Sequence, residues 1–181
     1  ALGVTQQLPL EDRHLYTKDY IEDSLVVRLG GRIAEAIIFD SLSTGANNDL
    51  VGATEMAKRM VREWGMSDRI GPMAWGSQGA VFLGEDLLHS RDYSDETARV
   101  IDEEVERILR EQEHRGTQVL EDHRNGLEAV ARALLAKETL PGSEVARLVD
   151  EAAGRRIRPD RRQALVILAN DAATSPAPLP S

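Results

Sequence analysis

Cysteine is wholly lacking from the 181 residues. That removes disulfides, thiolate zinc ligands and cysteine nucleophiles together, and accords with a reducing compartment. Long apolar runs are lacking too. Ile37-Ile38-Phe39 and Val166-Ile167-Leu168 are core-sized pieces, far short of the roughly 18 to 20 residues of a membrane-spanning helix. No Gly-x-x-x-x-Gly-Lys-Ser/Thr pattern occurs, and the stretch from Gly76 to Gly79 is too loose to cradle a phosphate, so these residues hold no ATPase active site. Excess positive charge is also missing. A net charge of −9 speaks against general nucleic-acid binding, because a phosphate backbone is gripped by surplus Lys and Arg. The local exception, Arg155, Arg156, Arg158, Arg161 and Arg162, reads as a solvated face or tail. The chain begins at Ala1 without Met and without a signal-peptide pattern, as expected of a segment of a longer protein or a processed chain.

With 41% hydrophobic and 29% charged residues, the composition is that of one globular domain able to bury a core. Residues 1–10 alternate Leu2, Val4 and Leu8 with polar residues up to Pro9, the pattern of a short strand. From Lys18 to Phe39, Ile21, Leu25, Leu29, Ile33 and Ile37 return every four positions, predicting a long helix or two broken at Gly30-Gly31. Paired glycines inside a helix suggest close approach of another backbone. The three-residue spacing of Arg32 and Glu35 suits an exposed ion pair.

Next comes Ser43-Thr44-Gly45-Ala46-Asn47-Asn48-Asp49-Leu50. Thr44-Gly45-Ala46 reads as a turn, and Asn47, Asn48 and Asp49 are residue types that cap a helix start. Leu50, Ala53, Ala57, Met60, Val61 and Trp64 then recur at steps of three and four up to Gly65, one apolar helix face with a stop signal. Residues 66–88 are irregular and glycine-rich. A further helix follows Ser94, with Asp95 and Glu96 at its start and Val100, Ile101, Val105, Ile108 and Leu109 as its stripe. The acids Asp102, Glu103 and Glu104 point in three directions on that helix and read as a solvated face. A helix carrying Leu127, Val130, Ala131, Leu134 and Leu135 would fold back on it as an antiparallel hairpin. After a turn at Leu140-Pro141-Gly142-Ser143, with Ser143 as cap, a last short helix spans 144–153. Residues 155–173 could form one more, and the Pro-rich end has a disordered composition.

The order of these pieces carries a resemblance. Gly30-Gly31-Arg32-Ile33-Ala34-Glu35, the Ser43 to Leu50 stretch with Glu63-Trp64-Gly65-Met66-Ser67 closing its helix, Ile70-Gly71-Pro72, Val81-Phe82-Leu83-Gly84, Tyr93-Ser94-Asp95-Glu96-Thr97, Ile101 to Val105 and Lys137-Glu138-Thr139-Leu140 resemble, in that order, the FtsH-type membrane-anchored AAA+ zinc metalloproteases. The resemblance covers roughly residues 1–150, and what it covers is the carboxy-terminal part of the peptidase domain.

It implies a mainly α-helical, FtsH-like peptidase bundle with a short amino-terminal β segment over 1–153, followed by a basic, Pro-rich extension over 154–181. Read by spacing, Asp49 is a helix cap or dipole partner. The resemblance makes it the third protein ligand of the catalytic zinc, a suitable carboxylate beside two imidazoles with a position left for water. Glu35, on a helix that packs beside the metal centre in that family, would orient the centre without touching the metal. Ala36 stands where a second Glu is usual. A zincin-type site also needs His-Glu-x-x-His, and His14, His89, His114 and His123 include no two at that spacing. The sequence thus supplies one zinc ligand and no general base.

The implied whole is an ATP-dependent endopeptidase that degrades unfolded or membrane proteins. It would be a homo-oligomer, a hexameric ring, held at the cytoplasmic face of the bacterial inner membrane by an amino-terminal anchor outside this sequence, with ATP on a AAA+ module also outside it and no nucleic-acid partner. Two alternatives stand beside it. One is a non-catalytic FtsH-like scaffold or assembly module. The other is an unrelated helical binding module, which Asp49 facing solvent far from the Glu35 helix would favour.

Overall fold

The computed structural model describes residues 16–75 and 93–157. Within them the chain forms five helices, α1 (Lys18–Phe39), α2 (Asn47–Arg62), α3 (Asp95–Asp122), α4 (Arg124–Lys137) and α5 (Gly142–Ala153), with a short 3-10 turn at Thr44–Ala46 before α2. The described residues are mainly helical, and no strand occurs among them. The expected strand at 1–10, the helix over 158–173 and the Pro-rich end lie outside them. The chain divides into two compact units, Ala1–Val119 and Leu120–Ser181.

In the first unit the four-residue repeat does what its period dictates. Ile21, Leu25, Leu29 and Ile33 lie buried along one side of α1, and α2 sets Ala53, Ala57, Met60 and Val61 against the core. Small Ala53 and Ala57, fully buried, let α1 and α2 lie close together, while Leu25 and Met60, equally buried, contribute about 1.5 to 3 kcal/mol each by leaving water. The expected core role of Trp64 is not realised. It stands 41% exposed, because α2 has ended at Arg62 and the chain no longer follows the helical period.

α1 is one unbroken helix through Gly30-Gly31. Among the described residues nothing lies within 4 Å of a side chain built at either glycine, so the expected close backbone approach is not found there. The tightest glycine on α1 is instead Gly116 in α3, and it meets side chains: a Cβ there would come within 2.6 Å of Ile33 Cδ1 and 3.3 Å of Val26 Cγ1. Arg32, expected to pair with Glu35, reaches across to Glu113 of α3 at 3.2 Å.

α2 closes with the Met66 amide donating to the Met60 carbonyl at 2.9 Å around Gly65, whose φ of +59° is the left-handed conformation that a glycine stop supplies. The hydroxyl of Ser94 accepts from the Thr97 amide at 3.2 Å and so caps α3. Of the α3 acids, Asp102 is exposed but Glu104 is buried, which corrects the reading of 102–104 as a wholly solvated face. Ile101, Glu104, Val105, Ile108 and Gln112 share the buried side. Glu104 tolerates it because Ser67 and Arg107 both donate to its carboxylate.

In the second unit α4 packs against α5. The turn between them is held by Lys137 Nζ donating to Glu144 at 2.5 Å. At the far end of the pair, Gly126 lets Val149 come close, with 3.4 Å from a built Cβ to Val149 Cα. Pro141 rather than Ser143 takes the N-cap position, and no side-chain cap forms there.

Candidate functional site

The stretch that carries the candidate ligand is built outward from α1. That helix ends at Asp40, held in the left-handed conformation at φ 49° with its amide donating to the Ala36 carbonyl, and the chain turns back along the helix it has just left. Ser43 then meets Glu35. Its hydroxyl donates to one carboxylate oxygen at 2.7 Å and its amide to the other at 3.3 Å. The same hydroxyl accepts from the Gly45 amide at 3.1 Å, an ST-turn that caps the 3-10 turn. The expected capping by Asn47, Asn48 or Asp49 is not found, since α2 begins behind Ala46 with no side-chain cap. The 3-10 turn before it has already satisfied the chain, with the Asn47 amide donating to the Thr44 carbonyl.

Asp49 stands in the first turn of α2, where the helix dipole favours a negative charge. It is exposed and makes no hydrogen bond or ion pair with any described residue. Glu35 is its opposite. Hydrogen bonds from the Ser43 hydroxyl and then the Ser43 amide, helped by the charge of Arg32, hold its carboxyl below the usual carboxylate range. Both of its oxygens face Ser43. One carboxylate is thus committed to the turn, and the other, six residues after Ser43, has no partner among the described residues.

A zinc ion bound at this turn would find one described carboxylate with no other described partner, that of Asp49, as a donor. Among the described residues no group of three His, Cys, Asp or Glu side chains could hold a metal. His14 and His89 lie outside those residues. His114 is exposed with its Nε2 3.0 Å from Gln118 Nε2, and His123 is the single residue between α3 and α4. Neither belongs to a group among the described residues that could hold a metal.

Two polar residues escaped the reading of the sequence. Ser43 was legible in principle, because a Ser two residues before a Gly in a turn is an ST-turn signature. Glu104 was legible from its place on the face of Ile101, Val105 and Ile108, but the partner that makes its burial tolerable, Ser67, is 37 positions away.

The model of the family described as "Peptidase family M41" matches residues 1–148. A protein of Acidimicrobium ferrooxidans named "ATP-dependent zinc metalloprotease FtsH" is 69% identical over 167 residues, 92% of this chain and 25% of the relative. One of Petrotoga mobilis, named "ATP-dependent zinc metalloprotease FtsH 3", is 47% identical over 83% of this chain and 24% of its own length. One of Marinobacter nauticus, with the first relative's name, is 45% identical over 86% of this chain and 25% of its own. The chain therefore spans about a quarter of the length of these relatives. The alternative of an unrelated helical module falls. Asp49 does face solvent, but the turn that leads to it is hydrogen-bonded to the α1 helix through Glu35, and with residues 1–148 matched the chain belongs to peptidase family M41.

Proposed function

We propose that this chain contributes a zinc ligand and its helical support to an ATP-dependent zinc metalloendopeptidase that cleaves unfolded or membrane proteins. The observation that carries the proposal is the pairing of an uncommitted Asp49 carboxylate with a Glu35 carboxylate committed to the turn beside it, in a chain of family M41. Bound zinc supplies a Lewis acid that polarises the scissile carbonyl and lowers the pKa of a bound water. This chain's residues do the holding. Asp49 presents a hard oxygen donor at a helix start, and Glu35 orients the centre from behind.

The general base and the imidazole ligands of a His-Glu-x-x-His helix are not among these residues, and the ATP-driven module that feeds substrate is likewise outside them. By the names of its relatives the complete protein is a zinc- and ATP-dependent protease. We place it as a homo-oligomeric, hexameric ring at the cytoplasmic face of the bacterial inner membrane, with the peptidase-type domain ending at α5 and residues 154–181 as an extension. No helix among the described residues is long and apolar enough to cross a membrane, so the anchor in this proposal lies elsewhere.

The test is zinc content and casein hydrolysis of the complete protein beside its Asp49→Ala variant. Loss of both from the variant is the expected result. A variant that keeps zinc at wild-type stoichiometry returns Asp49 to the role of a helix-dipole partner.

A further inference from the structure

α4 carries two apolar sides, and α5 occupies one of them. Gly126 lies against Val149 at one end of the pair, and Lys137 holds Glu144 at the other. Val130 and Ala133 stand between Gly126 and Lys137 at steps of three and four, so all four share the side that meets α5. Leu127, Ala131, Leu134 and Leu135 make a second series at the same steps. At 3.6 residues per turn they stand about 80° to 180° around the helix from Gly126. Leu134 is 41% and Leu135 86% exposed, Ala131 is exposed and Leu127 half-buried. Three leucines on one side of a helix form a stripe that gains by leaving water, and α5 does not bury it.

The chain that leaves α5 is directed back along the same pair. Gly154 takes φ +66°, and its amide donates to the Asp150 and Glu151 carbonyls, which ends α5 in a left-handed turn. The Ile157 amide then donates to the Asp150 carboxylate at 2.8 Å. Having doubled back from the end of α5, the chain at Ile157 is therefore level with the place where Val149 meets Gly126. Leu134 and Leu135 lie 8 and 9 residues beyond Gly126, about 12 to 14 Å along α4 at 1.5 Å per residue. Leu165 lies 8 residues beyond Ile157, inside Ala164-Leu165-Val166-Ile167-Leu168-Ala169, the longest unbroken apolar run of the chain.

We propose that residues 159–173 form a helix that folds back on the α4–α5 pair and covers the leucine stripe of α4 with Leu165 and Leu168. Pro159 suits the first turn of such a helix, where a missing amide costs nothing. The extension after α5 is then a third helix of the second unit. A second copy of the chain is the rival occupant, but a stable interface between copies needs roughly 800 Å² a side, more than three leucines and an alanine offer. A segment already tethered to the end of α5 needs much less area, because a short linker gives it an effective concentration in the millimolar range.

The experiment uses the complete protein with Ala131→Cys, which places a thiol on the stripe and keeps every leucine. Its maleimide labelling is timed by mass spectrometry of the peptide. Leu165→Asp puts a charge into the contact and is expected to speed labelling at least about 10-fold, equivalent to about 1.4 kcal/mol of docking. Leu179→Asp, in the Pro-rich end, is expected to leave the rate unchanged. In a second measurement Ala131→Cys and Ala164→Cys are joined by a short bismaleimide in protein assembled from isotopically light and heavy subunits. Cross-links within one label are expected, and they read the docking even where Leu165→Asp impairs folding.

Equal labelling rates with and without Leu165→Asp overturn the inference. Fast rates mean that the stripe is bare, and slow ones that something else covers it. A cross-link that joins light to heavy peptides assigns the stripe to a second copy and overturns the inference as well, as does the absence of any cross-link.

Discussion

The Ser67 hydroxyl donates a 2.6 Å hydrogen bond to the Glu104 carboxylate, and the two residues are 1% and 3% exposed. This joins the segment after α2 to the middle of α3. Ser67 Oγ also accepts from the Ile70 amide at 3.3 Å, and Arg107 donates to Glu104 through Nε and Nη2 at 3.1 Å each. A buried charge is tolerable only with such partners, so the pair is a clamp on the core of the first unit.

Removing it therefore costs more than removing a surface ion pair. Ser67→Ala leaves a buried carboxylate short of a donor and is expected to destabilise by about 1 to 3 kcal/mol. Arg110→Ala, which breaks a solvent-exposed pair with Glu106, is expected to cost less than that. Urea unfolding followed by circular dichroism measures both, and equal midpoints would show that the clamp contributes nothing.

The same carboxylate gives stability a pH dependence. Arg107 first, then Ser67, hold the Glu104 carboxyl below its ordinary value against the opposing effect of burial. The folded state then binds fewer protons than the unfolded state, so stability rises with pH. The contribution is complete above the unfolded value of about 4.3 and is lost as pH falls through the lowered folded value. Urea midpoints taken between pH 6 and pH 3 should fall less steeply in Glu104→Gln than in the wild type.

Two glycines, one inside α2 and one just past its end, respond in opposite directions to alanine. Gly65 holds φ +59°, and a Cβ built there would lie 3.4 Å from Pro72 Cα, so Gly65→Ala places an L side chain in the left-handed region at a cost of about 1 to 2 kcal/mol. Gly52 sits inside α2, where a Cβ meets only the mobile end of Arg28 at 2.7 Å. The guanidinium can swing away, and Gly52→Ala should gain about 0.5 kcal/mol from helix propensity. Thermal unfolding of the two variants should bracket the wild type.

Gly116 tests the packing of α3 on α1. Gly116→Val forces two methyls against Ile33 and Val26, already 2.6 and 3.3 Å from a first carbon there, and overpacking of this kind costs about 1 to 3 kcal/mol. Shortening the neighbour with Ile33→Val should recover part of that loss. If the double variant is simply the sum of its singles in a denaturant melt, the contact is not what limits the site.

Much of this was legible in the chain because helices are local. The four-residue recurrence of Ile21, Leu25, Leu29 and Ile33 fixes a helix and its buried side by geometry alone, and Gly65 marked an end. The cap of α2 was misread for an instructive reason. Asn47, Asn48 and Asp49 have the right chemistry, but Ser43 had already begun a 3-10 turn that satisfies the chain, so none of the three caps α2.

What the sequence determined by itself is the helical class, the order of motifs that marks the family, and Asp49 as the residue to examine. Periodicity and residue type act within a turn or two of chain, and those features need nothing more. What only the tertiary structure decided is who meets whom across the chain: Arg32 with Glu113 instead of Glu35, Glu35 with Ser43, Glu104 with Ser67, and Gly116 instead of Gly30-Gly31 as the point of close approach. Each of those choices depends on where two helices or a returning turn bring side chains together in space, and a side chain's hydrogen bonds go to the partner that the packing leaves within 3 Å or so.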